Sequence, residues 1–406
     1  MDLMRRVRIQ LIVAVGWVLR KYLRNPRLMS LLRRYPRLAW LPGATGLPLI
    51  RLAVRHEDAK RVLAHDREFA VPYLEKMQQL GAPFMLGLDA SPDHTRQRDS
   101  VAVALDPVAM EQVADTSAAA AEAVLKGARD VDVVQELTDA VLRATVGRHL
   151  GTGEVDPAQL DAARMVFRHI FINPFNSPDV VEGSLAAARD LLEHMREVVR
   201  ERRAAKGNGG APGTDVLSRL LKAIDDRAEP HLRDDAEVVD QLVGVFVAWV
   251  ASVSRSTAYA LDALLDKPEA MARAHRAATD GDAEAMWAVL VEALRVQPPV
   301  PAIERVCRRE TDVQGARVRR EREVWVVLTA VTMDKSAYPA PHRFDANREQ
   351  DNLTFGYDLH RCLGLGIAKS QMSAIAIALL RRPNVKRACA LQLVGPYPSR
   401  LDVTLD

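Results

Sequence analysis

Apolar and polar positions along most of the chain follow the period of an amphipathic helix. In alanine-rich stretches the apolar side chains recur every three or four residues, which places them on one helix face. Strand-like stretches are few and short. The pattern predicts a mainly α protein with a small β-rich lobe. Helices are predicted at about 108–128, 131–150, 157–172, 183–205 and 214–226, and strands at about 48–54, 303–306, 311–318 and 323–329.

The organisation of the chain changes near residue 37. No repeat, low-complexity segment or linker interrupts residues 38–406, so we expect one domain there. Within it, the run KGNGGAPG at 206–213 is predicted to be a solvated loop, since its glycines and proline cannot hold a helix.

The first 37 residues form a separate basic segment, with ten arginines and lysines against one acid, Asp2. An apolar run from Ile9 to Leu19 is shorter than the roughly 20 residues that span a bilayer. RKYLR follows it where a signal peptide would have small residues for cleavage. We expect residues 4–24 to form a retained helix. It either packs on the body of the protein, which we favour, or lies on an anionic membrane surface.

Composition excludes several classes of protein. A net charge of +3 over 406 residues implies no nucleic-acid partner. The three cysteines, Cys307, Cys362 and Cys389, form no CxxC pair and no zinc-like cluster, so neither a disulfide framework nor a zinc site is expected. The protein is therefore expected in the reducing cytoplasm, with membrane association left open.

Cys362 lies in the stretch NLTFGYDLHRCLGLG, immediately before a predicted apolar helix. The partial positive charge of a helix N-terminus lowers a thiol pKa. Gly356 and Gly364 let the backbone approach a bulky partner, and His360 and Arg361 add positive charge. A thiolate in such a loop suits an axial ligand to haem iron. The alternative for this stretch alone is a small buried hydrophobic residue.

The stretch FGYDLHRCLG resembles FGxGxHxCxG, the haem-binding signature of the cytochrome P450 family. This resemblance implies the cytochrome P450 fold and haem b, iron protoporphyrin IX, held by Cys362 and contacted by Phe355 and Gly364. One position departs from the signature, since Asp358 replaces its second glycine. Aspartate tolerates the left-handed backbone conformation better than most residues.

Other landmarks of the family follow in its order from about residue 40. VEALRVQPP carries Glu292 and Arg295 at the spacing of the family's buried ExxR pair, and Arg343 in APHRFD matches the arginine that completes that structural network. The resemblance assigns the haem propionates to four cations. They are His94 and Arg98 in SPDHTRQR, Arg305 in AIERVC, and His360.

The helix expected over the distal face departs further from the family. Alignment from both ends places Ala248-Trp249-Val250-Ala251-Ser252 where members carry Ala-Gly-x-(Asp/Glu)-Thr. Ala248 and Ser252 lie one turn apart and are the candidate catalytic positions. Ala251 removes the acid of the proton relay. One turn beyond Ser252, Arg255 either holds a substrate carboxylate or has a structural partner, which we favour.

Three functions follow. The first is an oxidoreductase of secondary metabolism, a monooxygenase that uses O₂ and electrons from a ferredoxin or flavodoxin-type partner, with Lys369 and arginines near Cys362 as the docking face. The second, favoured by Ala251, is a peroxide-driven peroxygenase or a catalyst of coupling, cyclisation or dehydration. The third, suggested only by Trp249 crowding the helix, is a non-catalytic haem-binding or partner-recruiting protein.

A small to medium hydrophobic substrate is expected to contact the lid at 83–88 and the roof residues Phe167, Phe171, Asn173, Phe175 and Asn176.

Overall fold

The structure, a computed structural model, describes residues 23, 25–41, 50–105, 108–207, 213–349, 352–394 and 397–405. Helices dominate this part of the chain, as predicted, and small sheets accompany them. Short helices span Leu74–Gln79 and Leu328–Val331. The longer helices span Pro26–Arg34, His56–Ala64, Pro92–Ala104, Val108–Leu125, Asp139–Leu150, Pro157–Ile172, Pro178–Gly207, Val216–Asp226, Asp235–Leu265, Pro268–Asp280, Ala283–Val296 and Leu365–Leu380.

A five-stranded sheet forms the β-rich lobe. Its strand order is Trp40–Leu41, Ile50–Ala53, Glu323–Val327, Ala302–Cys307 and Phe69–Ala70. The second and third strands of this order run parallel, and the other neighbours are antiparallel. The remaining strands form two hairpins and a three-stranded sheet. They are Thr311–Val313 with Ala316–Val318, Gln392–Val394 with Tyr397–Arg400, and Asp130–Asp132, Asp402–Leu405 and Val385–Arg387.

The helix Asp235–Leu265, called the central helix below, runs through the main core. The Asp234 side chain caps it by accepting a hydrogen bond from the Glu237 N–H at 2.9 Å. Within the described residues it alone is long and apolar enough to cross a membrane, but 67% of its most apolar window is buried inside the molecule. Its apolar character is therefore that of a core helix.

The helix Pro26–Arg34 packs onto the β-rich lobe. Met29 and Leu32 are buried there together with Leu23, against Trp325 of the five-stranded sheet. Most of the predicted helix at 4–24 lies outside the described residues, so that helix and the domain boundary at residue 37 stay predictions.

Several predicted elements differ from the structure. The predicted helix at 131–150 is wrong at its start, because Asp130–Asp132 pairs as a strand with Asp402–Leu405 and a π-helical turn follows at Val133–Thr138. The β-branched valines of this segment suit a strand better than a helix. The strand predicted at 323–329 ends at Val327. The helix predicted to end at residue 205 continues to Gly207, and 208–212, the body of the predicted loop, lie outside the described residues.

Candidate active site

A cavity of about 320 Å³ separates the central helix from the loop that carries Cys362. Residues 352–364 are called the cysteine loop, and Leu365–Leu380, which follows it, the post-cysteine helix. Cys362, Gly364 and Phe355 line one wall of the cavity, and Ala248 and Ser252 line the opposite wall. The sequence-predicted thiol and distal residues therefore face the same space.

Backbone geometry fixes the cysteine loop. The Cys362 N–H donates to the Phe355 carbonyl at 2.7 Å, which closes the loop on itself. Gly356 has φ 75°, and a Cβ added there would lie 2.4 Å from the His360 carbonyl oxygen, so a side chain would both strain and clash. Asp358 also lies in the left-handed region, at φ 51°. The predicted tolerance of aspartate at this position of the signature is confirmed.

Cys362 is exposed to the cavity that it lines, but protein groups surround its thiol closely enough to desolvate it. Burial raises the pKa of this thiol, and the Gly364 N–H together with the charges of Arg98 and Arg361 only partly opposes that effect. The expectation that the helix N-terminus would lower the thiol pKa is therefore wrong, because desolvation is the larger effect. A metal cation at Sγ would supply the stabilisation that the thiolate lacks.

Two of the four predicted propionate partners, Arg305 and His360, line the cavity, and the other two lie against residues near it, with Arg98 donating to the Arg361 carbonyl at 2.7 Å. His94 is 1% exposed, and neither ring nitrogen has a hydrogen-bond partner among the described residues. Its ring lies 5.4 Å from that of His360. Arg98 Nη1 and the Nε of the buried Arg305 are likewise without partners in the described part of the chain. Burial lowers the pKa of His94, Arg98 and Arg305.

Buried nitrogen atoms without hydrogen-bond partners, two of them on arginines, call for an anion. The two propionates of haem b fit this requirement, and the open space beside Gly364, where an added Cβ would meet no atom within 4 Å, fits a flat macrocycle next to Cys362. His94, Arg98, Arg305 and His360 would then hold the propionates, and Cys362 the iron.

Asp66 was missed by the sequence reading. Its carboxylate is 8% exposed and lies 3.4 Å from His360 Nε2. Burial works to raise the pKa of Asp66, but the combined effect of His360 and Arg305 outweighs it and the pKa is lowered. An acid thus lies close enough to two of the propionate partners to interact with their charges. No motif marks it, because it lies at the end of His56–Ala64 among other charged residues.

The ion pair of Glu292 and Arg295 is buried, as predicted, but the arginine that joins it differs from the predicted one. Arg295 forms two hydrogen bonds with Glu292, at 2.7 and 2.8 Å. Arg348 Nε, and not the predicted Arg343, contacts Glu292 Oε1 at 3.3 Å. The prediction of Arg343 is wrong, because the side chain of this residue is exposed. Its backbone carbonyl accepts a hydrogen bond from Arg348. Backbone acceptors at Thr332 and Pro341 satisfy the remaining Arg295 donors.

Small residues of the central helix line the distal wall. Gly244, Ala248, Ser252 and Ser256 are each one turn apart and all face the cavity. A Cβ added to Gly244 would lie 2.4 Å from the Phe84 ring, so this glycine lets the lid residue Phe84 rest directly on the helix. The absence of a side chain at Gly244 therefore sets the shape of the roof.

Trp249 and Ala251, which depart from the family pattern on the central helix, form hydrogen bonds with residues of other elements. The Trp249 indole N–H donates to Gln371 of the post-cysteine helix at 2.7 Å, and Gln371 in turn donates to Thr145 at 2.7 Å. The Ala251 side chain is fully buried, and its carbonyl accepts the Tyr397 hydroxyl at 2.9 Å. No carboxylate from the described residues lines the cavity.

Arg255 has a structural partner, as favoured from the sequence. Its Nε donates to the Pro299 carbonyl at 2.6 Å, and its guanidinium lies 5.2 Å from the Tyr397 ring and 5.5 Å from the Tyr259 ring. The side chain is 1% exposed. It forms part of the cavity wall and joins the central helix to the segment after Ala283–Val296.

The predicted substrate-contact residues divide into two groups. Phe167, Phe171 and the lid residues Phe84 and Met85 line the cavity. Phe175 does not; its ring lies 6.2 Å from Trp325 on the β-rich lobe. Asn173 and Asn176 are also absent from the lining, and the Asn173 carbonyl accepts a hydrogen bond from Lys76 at 2.8 Å.

A polar network joins the helix Pro92–Ala104 to the central helix away from the cavity. Arg96, on the helix that carries His94 and Arg98, contacts both oxygens of Glu237 on the central helix at 2.6 Å. Gln97 also donates to Glu237, at 2.8 Å. Burial works to raise the pKa of Glu237, but hydrogen bonds from Arg96, the Arg233 N–H and Gln97 lower it to about 2.

Known proteins share this arrangement. A family model described as Cytochrome P450 matches residues 160–388, more than half of the chain. "Putative cytochrome P450 140" of Mycobacterium tuberculosis is 26% identical over 305 residues, 73% of this chain and 66% of the relative. 6-deoxyerythronolide B hydroxylase of Saccharopolyspora erythraea is 29% identical over 238 residues, 55% of this chain and 56% of that enzyme. The matched region is thus slightly under two thirds of the first relative and just over half of the second.

Solved structures agree in fold. CalO2 superposes with a TM-score of 0.78 at 23% identity, over 95% of this chain and 97% of that one. P450BioI, solved in complex with an acyl carrier protein ligated to hexadec-9Z-enoic acid, superposes with a TM-score of 0.80 at 22% identity, over 95% and 100%. The fold is that of these proteins, and the cysteine site is of the haem-thiolate type. The chain belongs to the cytochrome P450 family, and its cofactor is haem b.

Proposed function

We propose that the protein is a monooxygenase that inserts one atom of O₂ into a small to medium hydrophobic substrate. The observation that carries this proposal is that Cys362 and the small residues of the central helix face each other across one largely apolar cavity. Haem b held at Cys362 supplies the iron chemistry that activates dioxygen. Electrons from a redox partner reduce the other oxygen atom to water.

The chain's own residues bind, orient and exclude water. Phe84, Phe167 and Phe171 cover an apolar substrate and keep water out of the cavity. Ser252 offers the hydroxyl nearest the position of the family's alcohol, where it would hold a proton or a water for the oxygen chemistry. Two relatives, 6-deoxyerythronolide B hydroxylase and "Pulcherriminic acid synthase" of Bacillus subtilis, support a role in secondary metabolism.

The electron donor is proposed to be a ferredoxin with its reductase, or a flavodoxin-type protein. Arg361 is exposed on the cysteine side, and Lys369 pairs with the more exposed Glu284 at 2.5 Å. An acidic partner would compete for these cations at the shortest path to Cys362. Electron transfer should therefore weaken as salt is raised.

The test is turnover with surrogate partners. Substrates are first screened for displacement of the iron-bound water, seen in the haem absorption spectrum. A substrate that shifts the spectrum should then be oxidised with NADH, ferredoxin reductase and ferredoxin, with ¹⁸O from O₂ in the product. Product that carries ¹⁸O from water or from peroxide instead would contradict the proposal.

A peroxide-driven peroxygenase, or a catalyst of coupling, cyclisation or dehydration, is the second candidate. The observation that favours it is the cavity lining, to which the described residues contribute no carboxylate, with Ala251 buried where the family has an acid. Turnover with hydrogen peroxide alone would support it. The non-catalytic alternative is less favoured, because the Trp249 indole N–H binds Gln371, although Trp249 is also part of the cavity lining.

A further inference from the structure

The described part of the N-terminal segment carries an exposed apolar and basic surface. Leu31, Tyr35 and Leu38 are 52%, 47% and 69% exposed. Three of the seven exposed large hydrophobic residues in the described chain thus fall within eight consecutive positions. Exposed apolar side chains that cluster in this way mark an interaction site more often than scattered ones do. We call the surface formed by Arg27, Leu31, Arg34, Tyr35, Arg37 and Leu38 the N-terminal face.

The helix Pro26–Arg34 presents two different sides. Met29 and Leu32 are buried against the β-rich lobe. Arg27, Leu31 and Arg34 are spaced four and three residues apart, so they share the opposite, exposed side. The body of the protein therefore holds one side of this helix and leaves the other for a partner.

Charge on this surface has one sign. Residues 25–41 contain Arg27, Arg33, Arg34 and Arg37 and no acid. The sequence immediately before continues the pattern, with basic residues on both sides of the apolar run Ile9–Leu19. The combination of positive charge and apolar side chains is therefore not confined to the N-terminal face.

We propose that the N-terminal face, continuous in sequence with residues 4–24, binds a membrane surface of anionic phospholipids. Arginines pair with lipid phosphates, and leucine and tyrosine side chains enter the boundary between headgroups and acyl chains. Stable attachment takes two signals, an apolar one and a basic one, and both are present here. An acidic protein would match the arginines but not the apolar side chains beside them.

The experiment is co-sedimentation of the full-length haem-loaded protein with phospholipid vesicles. Binding is expected with vesicles that contain phosphatidylglycerol, and it should fall with rising salt. Little binding is expected with phosphatidylcholine alone. Equal binding to both lipids, or no binding to the anionic vesicles, overturns the proposal, as does capture by an immobilised acidic polypeptide without vesicle binding.

A matched pair of variants locates the surface. Leu31→Ser, Tyr35→Ser and Leu38→Ser together should weaken vesicle binding by about tenfold or more, because interfacial binding scales with buried apolar area. Leu393→Ser with Val394→Ser removes apolar residues that are 48% and 60% exposed elsewhere, and should leave binding unchanged. Both variants should keep the reduced carbonyl spectrum of the parent. Unchanged binding by the triple variant, or equal losses in both, places the interaction outside the N-terminal face and overturns the proposal.

Discussion

The two walls of the cavity differ in how closely they follow the cytochrome P450 pattern. The cysteine wall keeps Cys362 and His360, and its one departure, Asp358, takes the left-handed conformation that the replaced glycine would have allowed. The central helix opposite keeps the alcohol as Ser252 but replaces the glycine and the acid by Trp249 and Ala251. The residues expected to bind the cofactor are therefore kept. The departures on the central helix affect proton delivery and the shape of the substrate that fits the cavity.

The departures on the central helix do not disrupt its packing. Trp249 is satisfied by Gln371, and the backbone at Ala251 by Tyr397. A buried polar group without a partner would cost about 1–3 kcal/mol. The two replacements therefore leave these hydrogen-bonding groups satisfied, and what they change is the chemistry of the wall.

The largest effect is expected from the ion pair behind the cysteine wall. Glu292→Ala leaves Arg295 buried beside an empty space and should lower the free energy of unfolding by about 3–5 kcal/mol. Arg343→Ala, at an exposed position, should change it by less than about 0.5 kcal/mol. Denaturant unfolding measures both. A larger loss from Arg343→Ala than from Arg348→Ala would contradict the assignment of Arg348 to this network.

The network that joins the helix Pro92–Ala104 to the central helix through Glu237 should respond to acid. Because the pKa of Glu237 is about 2 in the folded protein and 4.5 is its ordinary value, its contribution is complete above pH 4.5 and is lost as the pH falls towards 2. That contribution amounts to up to about 3 kcal/mol. Urea unfolding of the parent and Glu237→Gln at a series of pH values should give curves that converge on acidification. Curves that stay parallel would show that Glu237 is not held as a carboxylate.

The catalytic difference between the walls is tested at Ser252. Ser252→Ala should lower product formed per electron consumed by about 10²-fold, since no carboxylate from the described residues stands in for the hydroxyl. Ser256→Ala, one turn further along the same wall, serves as the control. Turnover driven by peroxide should be insensitive to both. If the two serine variants lose coupling equally, Ser252 has no special role.

The shape of the distal wall is tested at Gly244. Gly244→Ala forces Phe84 to move and should cost about 1–3 kcal/mol through overpacking. It should also alter which substrates shift the haem spectrum. Gly183→Ala is the control, because a Cβ there meets Met165 only at 3.5 Å. Adding Gly244→Ala to a Phe84→Ala variant should cost less stability than adding it to the parent, because the clashing ring is gone. An equal cost in both backgrounds would show that the strain does not come from Phe84.

The sequence predicted the residues that belong to local motifs. Cys362, His360 and the pair Glu292 and Arg295 have fixed spacing on a loop or a helix, so order along the chain was enough. Arg343 was predicted where the structure has Arg348. Both residues lie in an irregular segment, where no periodicity shows which side chain turns inward. Asp66 reaches His360 from a distant part of the chain, and only the tertiary fold brings them together.

Short strands were also difficult to predict from the sequence. Segments such as Phe69–Ala70 and Asp130–Asp132 contain too few residues to display an alternating pattern, and pairing with distant strands determines their conformation. The hydrogen-bond partner of Trp249 could not be predicted, because this cavity-lining residue directs its indole N–H to Gln371, which is 122 residues away in the chain. Tertiary contacts, rather than local propensity, decide these features.

The central claim is that Cys362 is the thiolate ligand of haem iron in a cavity closed by the central helix. The absorption spectrum of the reduced carbonyl complex tests it most directly. The account predicts the red-shifted band of thiolate ligation in the parent protein and its loss in Cys362→His, with haem retained. A folded, haem-loaded parent without that band, or a Cys362→His variant that keeps it, would contradict the account.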